Sequence, residues 1–141
     1  MSNSAEAAPA PRVVFRTTLP VRWGDMDAFG HVNNAQYLRY LEEARVQWME
    51  SLPGVSMGAA IAPVLAASQV NYRKAIEWPA RITVELSIVK VGTRSLTVGH
   101  RMLSAAADAQ LHCDGSVVLV WVDRSSGQSV PLPQAIRRGA G

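Results

Sequence analysis

Cysteine is nearly absent: Cys113 is the single one in 141 residues, so no internal disulfide can form. A chain without disulfides fits a reducing compartment, and the cytoplasm is the expected location. No apolar run approaches the roughly eighteen residues of a membrane-spanning helix, so no membrane association is expected. The first residues, MSNSAEAAPAPR, lack both a basic start and an apolar stretch and do not read as a secretory signal. Their Ala, Pro and Ser content reads as a disordered leader over 1–11. A basic stripe is also missing. The net charge is +3, but the arginines are scattered and only Arg137 and Arg138 are adjacent. That pattern argues against nucleic acid while leaving arginines for a phosphorylated small ligand. There is no G-x-S-x-G stretch, which disfavours a serine hydrolase. No internal repeat appears. One domain is the default for this length, expected over 12–133 with a flexible tail over 134–141.

Periodicity supplies most of the rest. From Asn34 to Ser51 the sequence NAQYLRYLEEARVQWMES places Leu38, Leu41, Ala44 or Arg45, Trp48 and Leu52 at three- and four-residue spacing, widened by Tyr37, Tyr40 and Met49. Asn33 is a good N-cap, Gln36 stands where a capping box needs it, and Pro53-Gly54 stops the helix. Glu42 and Glu43 are expected to pair with Arg39 or Arg45. Strands are expected over 13–23, with Pro20 hinting at an edge, and over 68–75, 81–91, 94–104 and 111–123. In the third of these Ile82, Val84, Leu86 and Ile88 alternate with Thr83, Glu85 and Ser87. In the fourth, Leu96 and Val98 are followed by Arg101 and Leu103. Asp114-Gly115 reads as a bulge in one long strand rather than a hairpin. The segment from Gly54 to Ala67 reads either as a short helix or as a loop over the sheet edge. One strand, one long helix and four strands in hairpin succession make an α+β fold with an antiparallel sheet.

The polar cluster GDMDAFGHVNNAQYL, residues 24–38, joins the first strand to that helix. The first N–H groups of a helix have no internal partner and carry partial positive charge. Such an end stabilises a developing oxyanion, and Asp25 and Asp27 lie just upstream. A carboxylate beside an oxyanion donor is the minimal equipment for acyl hydrolysis. Asp25, Asp27 and His31 lack an evident fourth ligand, so no metal and no cofactor are expected. Asp25 reads as a turn cap, His100 and His112 as satisfied structural histidines, and Cys113 as no nucleophile. Trp48 and Trp121 read as core or interface.

The stretch GDMDAFGHVNNAQYLRYLEEAR resembles the hotdog-fold acyl thioesterases of the 4-hydroxybenzoyl-CoA thioesterase type, close in motif to bacterial long-chain acyl-CoA and plant acyl-ACP thioesterases. The resemblance continues through VGTRSLTVGHRM and SVVLVWVDRSSGQSVPLP. It implies an antiparallel sheet of about five strands wrapped around one long central helix. It also implies a homodimer or homotetramer with acyl-CoA sites between subunits, and acyl-ACP as a second carrier. By that resemblance Asp27 is the catalytic carboxylate, as general base or nucleophile, and Asn34 supplies the backbone N–H that polarises the thioester carbonyl. His31 matches a histidine of the acyl-ACP enzymes' catalytic network. Phe29 stands where that network has an asparagine. Asn33 and Phe29 would border the substrate, and Arg94 and Ser95 would meet the CoA phosphates. Two rival activities remain: hydration of an enoyl thioester by Asp27 and His31, and non-catalytic acyl-CoA binding. The HVNN context favours hydrolysis over the first. No DNA-binding element is appended, which argues against a regulator.

Overall fold

A computed structural model describes residues 11–141, so the expected leader lies outside it but for Pro11. The elements are β1 (Val13–Pro20), a 3-10 turn (Trp23–Asp25), α1 (Asn34–Ser51), β2 (Ile61–Tyr72), β3 (Arg81–Val91), β4 (Ser95–Ser104), β5 (Leu111–Asp123) and α2 (Gln134–Ala140). Five antiparallel strands form one sheet in the order β1-β3-β4-β5-β2. This is the α+β hotdog arrangement, with α1 as the long central helix held by the sheet.

Helix α1 buries Tyr37, Tyr40, Leu41, Ala44, Arg45, Trp48 and Met49. Their alternating steps of three and one trace a face that follows the 3.6-residue turn. Leu38 falls off that face and is 41% exposed, unlike its expected place in the stripe. The buried face meets Ile82, Val84 and Leu86 of β3 and Leu96, Val98 and Met102 of β4 in one core. Burying one such Leu or Ile side chain is worth about 1.5–3 kcal/mol. Leu41, fully buried at the centre of α1, would cost about 2–5 kcal/mol if cut to alanine.

The boundaries of α1 and β3 match the sequence reading. Several other elements correct it. Strand β2 begins at Ile61, so the second half of the Gly54–Ala67 connection is neither helix nor loop. It does not pair with β3 in hairpin succession but crosses to the far edge and pairs with β5. In β4 the buried phase runs unbroken through Leu96, Val98, His100 and Met102, so Met102 rather than Leu103 faces the core. Arg101 turns outward onto Glu85 at 2.8 Å. At Gly115 neither ladder of β5 shifts register, so no bulge sits there. The glycine is needed for another reason: with φ at +148°, a Cβ would fall 2.0 Å from the Gln69 carbonyl oxygen. The residues read as a flexible tail form α2, which buries Ala135, Ile136 and Ala140. Arg137 ties it to the Gly92 and Thr93 carbonyls at 3.0 and 3.1 Å. No helix among the described residues is long and apolar enough to cross a membrane.

Candidate active site

Strand β1 ends at Pro20, and the 3-10 turn at Trp23–Asp25 redirects the chain toward the start of α1. The two aspartates of the opening motif have separate tasks. Asp25 is 6% exposed, and its carboxylate accepts the Tyr40 hydroxyl at 2.5 Å and the Arg22 N–H at 3.1 Å. Its carbonyl accepts the Asn33 N–H at 2.9 Å. Burial first, then the Asp25 hydrogen bond, pushes the Tyr40 phenol up, so it stays a neutral donor. Asp25 therefore binds the turn to the second turn of α1, and the turn-capping expectation holds.

Asp27 is half-buried and faces a cleft of about 480 Å³ bordered by Trp23, Met26, Gly30 and Trp78. Its Oδ1 accepts N–H groups from Phe29 at 2.8 Å and His31 at 3.1 Å. The Asp27 N–H in turn donates to the His31 carbonyl at 2.7 Å. The loop is thus closed on itself around one carboxylate oxygen, in the manner of an Asx turn. The second oxygen, Oδ2, has no hydrogen-bond partner among the described residues. Gly30 sits at φ +82°, the left-handed conformation this tight loop requires.

Helix α1 starts immediately afterwards. The Asn33 side chain accepts the Ala35 N–H at 2.9 Å, as an N-cap does. The capping box is not completed by Gln36, because the Asn33 N–H it would bind already donates to Asp25. Asn34 is exposed, and its N–H, at the first helical position, has no partner among the described residues. Its carbonyl accepts the Tyr72 hydroxyl at 3.1 Å, and the Tyr72 ring meets Tyr37 edge-on at 4.9 Å. Asp27, Asn33 and Asn34 thus converge on one loop and helix end. A pinned carboxylate can activate water, and a free helical N–H can polarise a carbonyl.

His31 reaches Asp27 through its backbone alone; its ring is exposed and makes no hydrogen bond among the described residues. Phe29 is 86% exposed. Arg94 and Ser95 are not part of this grouping within one chain. They stand at the β3–β4 hairpin, and the chain leaves β1 where Pro20 pairs with Arg81, at the opposite end of the ladder. Ten residues of strand separate these ends, on the order of 30 Å. The Arg94 guanidinium already donates to the Ser129 carbonyl at 2.6 Å.

Three features escaped the sequence reading. Trp23 and Trp78 flank Asp27, though neither lies in the motif; an exposed tryptophan gives no periodic signal. Arg45 is buried on α1 and makes no ion pair with Glu42 or Glu43 among the described residues; Glu43 instead accepts Gln47 Nε2 at 2.8 Å. The third is His100. His112 is satisfied, its Nδ1 lying 3.0 Å from the Lys74 carbonyl, but His100 Nε2 is buried without a partner. No three His, Cys, Asp or Glu side chains among the described residues could hold a metal ion.

A family model for the thioesterase-like superfamily matches residues 21–139. The PA2801 protein of Pseudomonas aeruginosa, provisionally described as a thioesterase, superposes with a TM-score of 0.87 at 41% identity, covering 92% of this chain and 100% of its own. A Xanthomonas campestris protein provisionally described as an acyl-CoA thioesterase is 50% identical, with a TM-score of 0.74 over 79% of this chain and 95% of its own. The long-chain acyl-CoA thioesterase FadM of Escherichia coli is 26% identical over 86% of this chain and 93% of its own.

Proposed function

The chain belongs to the thioesterase-like superfamily, and from that premise we propose that it hydrolyses an acyl-CoA to the free carboxylic acid and CoA. What supports the reaction is a pinned Asp27 carboxylate with one open oxygen and, seven residues on, the free N–H of Asn34 at the start of α1. The thioester carbonyl oxygen accepts the Asn34 N–H, where the helix dipole favours developing negative charge. Asp27 Oδ2, open to the cleft, takes a proton from water as that water attacks the carbonyl carbon. The tetrahedral intermediate collapses, the C–S bond breaks, and the thiolate leaves with a proton. Asn33 acts by holding the helix end in place. His31 closes the loop around Asp27 through its backbone. Phe29, projecting beside the carboxylate, is placed to border the substrate. No step calls for a cofactor. Acyl-ACP is the second carrier this chemistry accommodates, and lipid metabolism is the setting it suits. Loss of thiol release in Asp27→Asn with the fold intact is the test.

The active unit is a dimer or a pair of dimers. Strand β2 is an edge strand of twelve residues, mostly exposed, and it carries Ile61, Val64 and Leu65 into solvent. A long apolar edge of this kind invites a second strand. Antiparallel pairing of two β2 strands would lay the Ile61 end of one chain beside the Tyr72 end of the other, where Asn34 lies. A site built between copies is also how Arg94 and Ser95 could meet a CoA bound at the other subunit's Asp27. The lone, buried Cys113 is consistent with the cytoplasm.

A further inference from the structure

A second cavity, of about 460 Å³, opens between the later turns of α1, the connection to β2 and the first residues of β2. Met49, Val55, Ala62, Leu119, Trp121 and Ile136 give it apolar walls. One cation interrupts them. Arg45 lines the same cavity, is 8% exposed, and makes no side-chain hydrogen bond or ion pair among the described residues. His100 Nε2 is the one fully sealed, unpartnered side-chain polar atom among those residues, so the guanidinium nitrogens keep a small open surface. The cavity is what they open onto.

Nothing nearby neutralises this charge. Glu42, one turn earlier and exposed, also lines the cavity but does not come within ion-pair distance. Burial draws the Arg45 pKa down, with Glu42 opposing. His100 is 3% exposed; burial, reinforced by the Arg45 charge, pushes its pKa down to about 4, so it is neutral beside that charge.

A buried guanidinium carries five donors and is costly to leave unpaired. A plain hydrocarbon filling the cavity would strip away its remaining water and supply nothing in exchange. A carboxylate would meet the planar fork with two parallel charge-assisted hydrogen bonds. We propose that Arg45 is a specificity-determining residue, and that the acyl group held in this cavity is apolar along its length and ends in a carboxylate. The preferred substrates are then ω-carboxyacyl thioesters. The catalytic half of this statement rests on the thioesterase reading above; the binding half does not.

The test has two arms. In the first, thiol release is measured for paired acyl-CoA and ω-carboxyacyl-CoA substrates from four to twelve carbons. At the best length the wild type should favour the ω-carboxyl member at least tenfold in kcat/KM. Arg45→Met should bring that ratio to one or below, and Arg45→Lys should restore part of it. A wild-type preference for the plain chain at every length, or an unchanged ratio in Arg45→Met, overturns the proposal. In the second arm, octanoate and n-octanol are titrated against the protein and the melting midpoint is followed. Octanoate should stabilise the wild type more than octanol does, and Arg45→Met should erase the difference. Equal shifts, or an undiminished octanoate effect in Arg45→Met, overturn it without reference to catalysis. No thiol release from any substrate together with a positive second arm counts against the thioesterase reading alone.

Discussion

Asp27 and His31 are joined twice through the His31 backbone: the Asp27 N–H donates to the His31 carbonyl at 2.7 Å, and the His31 N–H donates to Asp27 Oδ1 at 3.1 Å. The histidine's contribution is therefore made by its main chain. His31→Ala should keep kcat within about tenfold of wild type, because no proton transfer by a general acid or base, worth about 100-fold or more, is removed. A loss of a thousandfold with unchanged melting would assign the imidazole a chemical role.

The N-cap at Asn33 is a stability element and, in the proposed reaction, a positioning element. Asn33→Ala removes the acceptor for the Ala35 N–H and should cost about 1 kcal/mol in urea unfolding. It should also lower kcat more than it raises KM, because the Asn34 donor is less firmly aimed. Asn33→Asp, which keeps the capping oxygen, should recover both. A stability loss with unaltered kcat would limit Asn33 to the cap.

Gly115 tests the packing of the sheet. Its missing Cβ leaves room for the Gln69 carbonyl, which would otherwise lie at 2.0 Å. Gly115→Ala forces β2 and β5 apart and should destabilise by about 3 kcal/mol or more, among the largest single effects expected. Near-wild-type melting would mean that the strands pass each other less closely than described.

Glu85 governs part of the acid sensitivity. Its partial burial raises the carboxyl pKa, but hydrogen bonds from Arg16 at 2.9 Å and Arg101 at 2.8 Å more than offset this and lower it. A lowered folded-state pKa means stabilisation that is present above the unfolded value of about 4.3 and lost as pH falls through the folded value. Glu85→Gln should therefore cost about 1 kcal/mol at pH 7, a modest figure because both arginines are largely exposed. The gap from wild type should narrow as pH falls below the unfolded value. A gap that widens on acidification contradicts the assignment.

The open edge at β2 predicts assembly. Leu65→Glu places a charge on the exposed apolar edge and should convert the proposed oligomer to monomer in sedimentation, with loss of activity if the site is shared between copies. An unchanged sedimentation coefficient would direct attention to another face.

Helix α1 and strand β3 were legible because their burial follows simple periods, 3.6 for Tyr37 to Met49 and 2 for Ile82 to Leu86. Strand β2 was legible only at its end, within the strand expected over 68–75, since Ala62, Ala66 and Ala67 leave no alternation to read before it and its partner, β5, lies some fifty residues away in sequence. Helix α2 is short and weakly patterned; Ile136 buries it through contacts no local signal records. At the site, the turn closed by Asp27 and the N-cap at Asn33 were legible because both are local, set by a tight loop and a helix start. Arg94 and Ser95 were placed at the right hairpin, but its distance from Asp27 depends on the whole length of β4. Arg45 was hidden for the opposite reason: within an apolar stripe an arginine reads as an ion-pair partner, and its isolation becomes visible only when Glu42 fails to reach it.

The central claim is best tested by thiol release from a panel of acyl-CoA substrates, using wild type and Asp27→Asn side by side. The asparagine keeps an Oδ1 acceptor for the Phe29 and His31 N–H groups, so loop, fold and oligomer should survive. General-base loss of this kind costs about 100- to 10,000-fold. The account predicts turnover by the wild type and a fall of that size in kcat for Asp27→Asn, with melting and sedimentation unchanged. Equal turnover by the two proteins would contradict it.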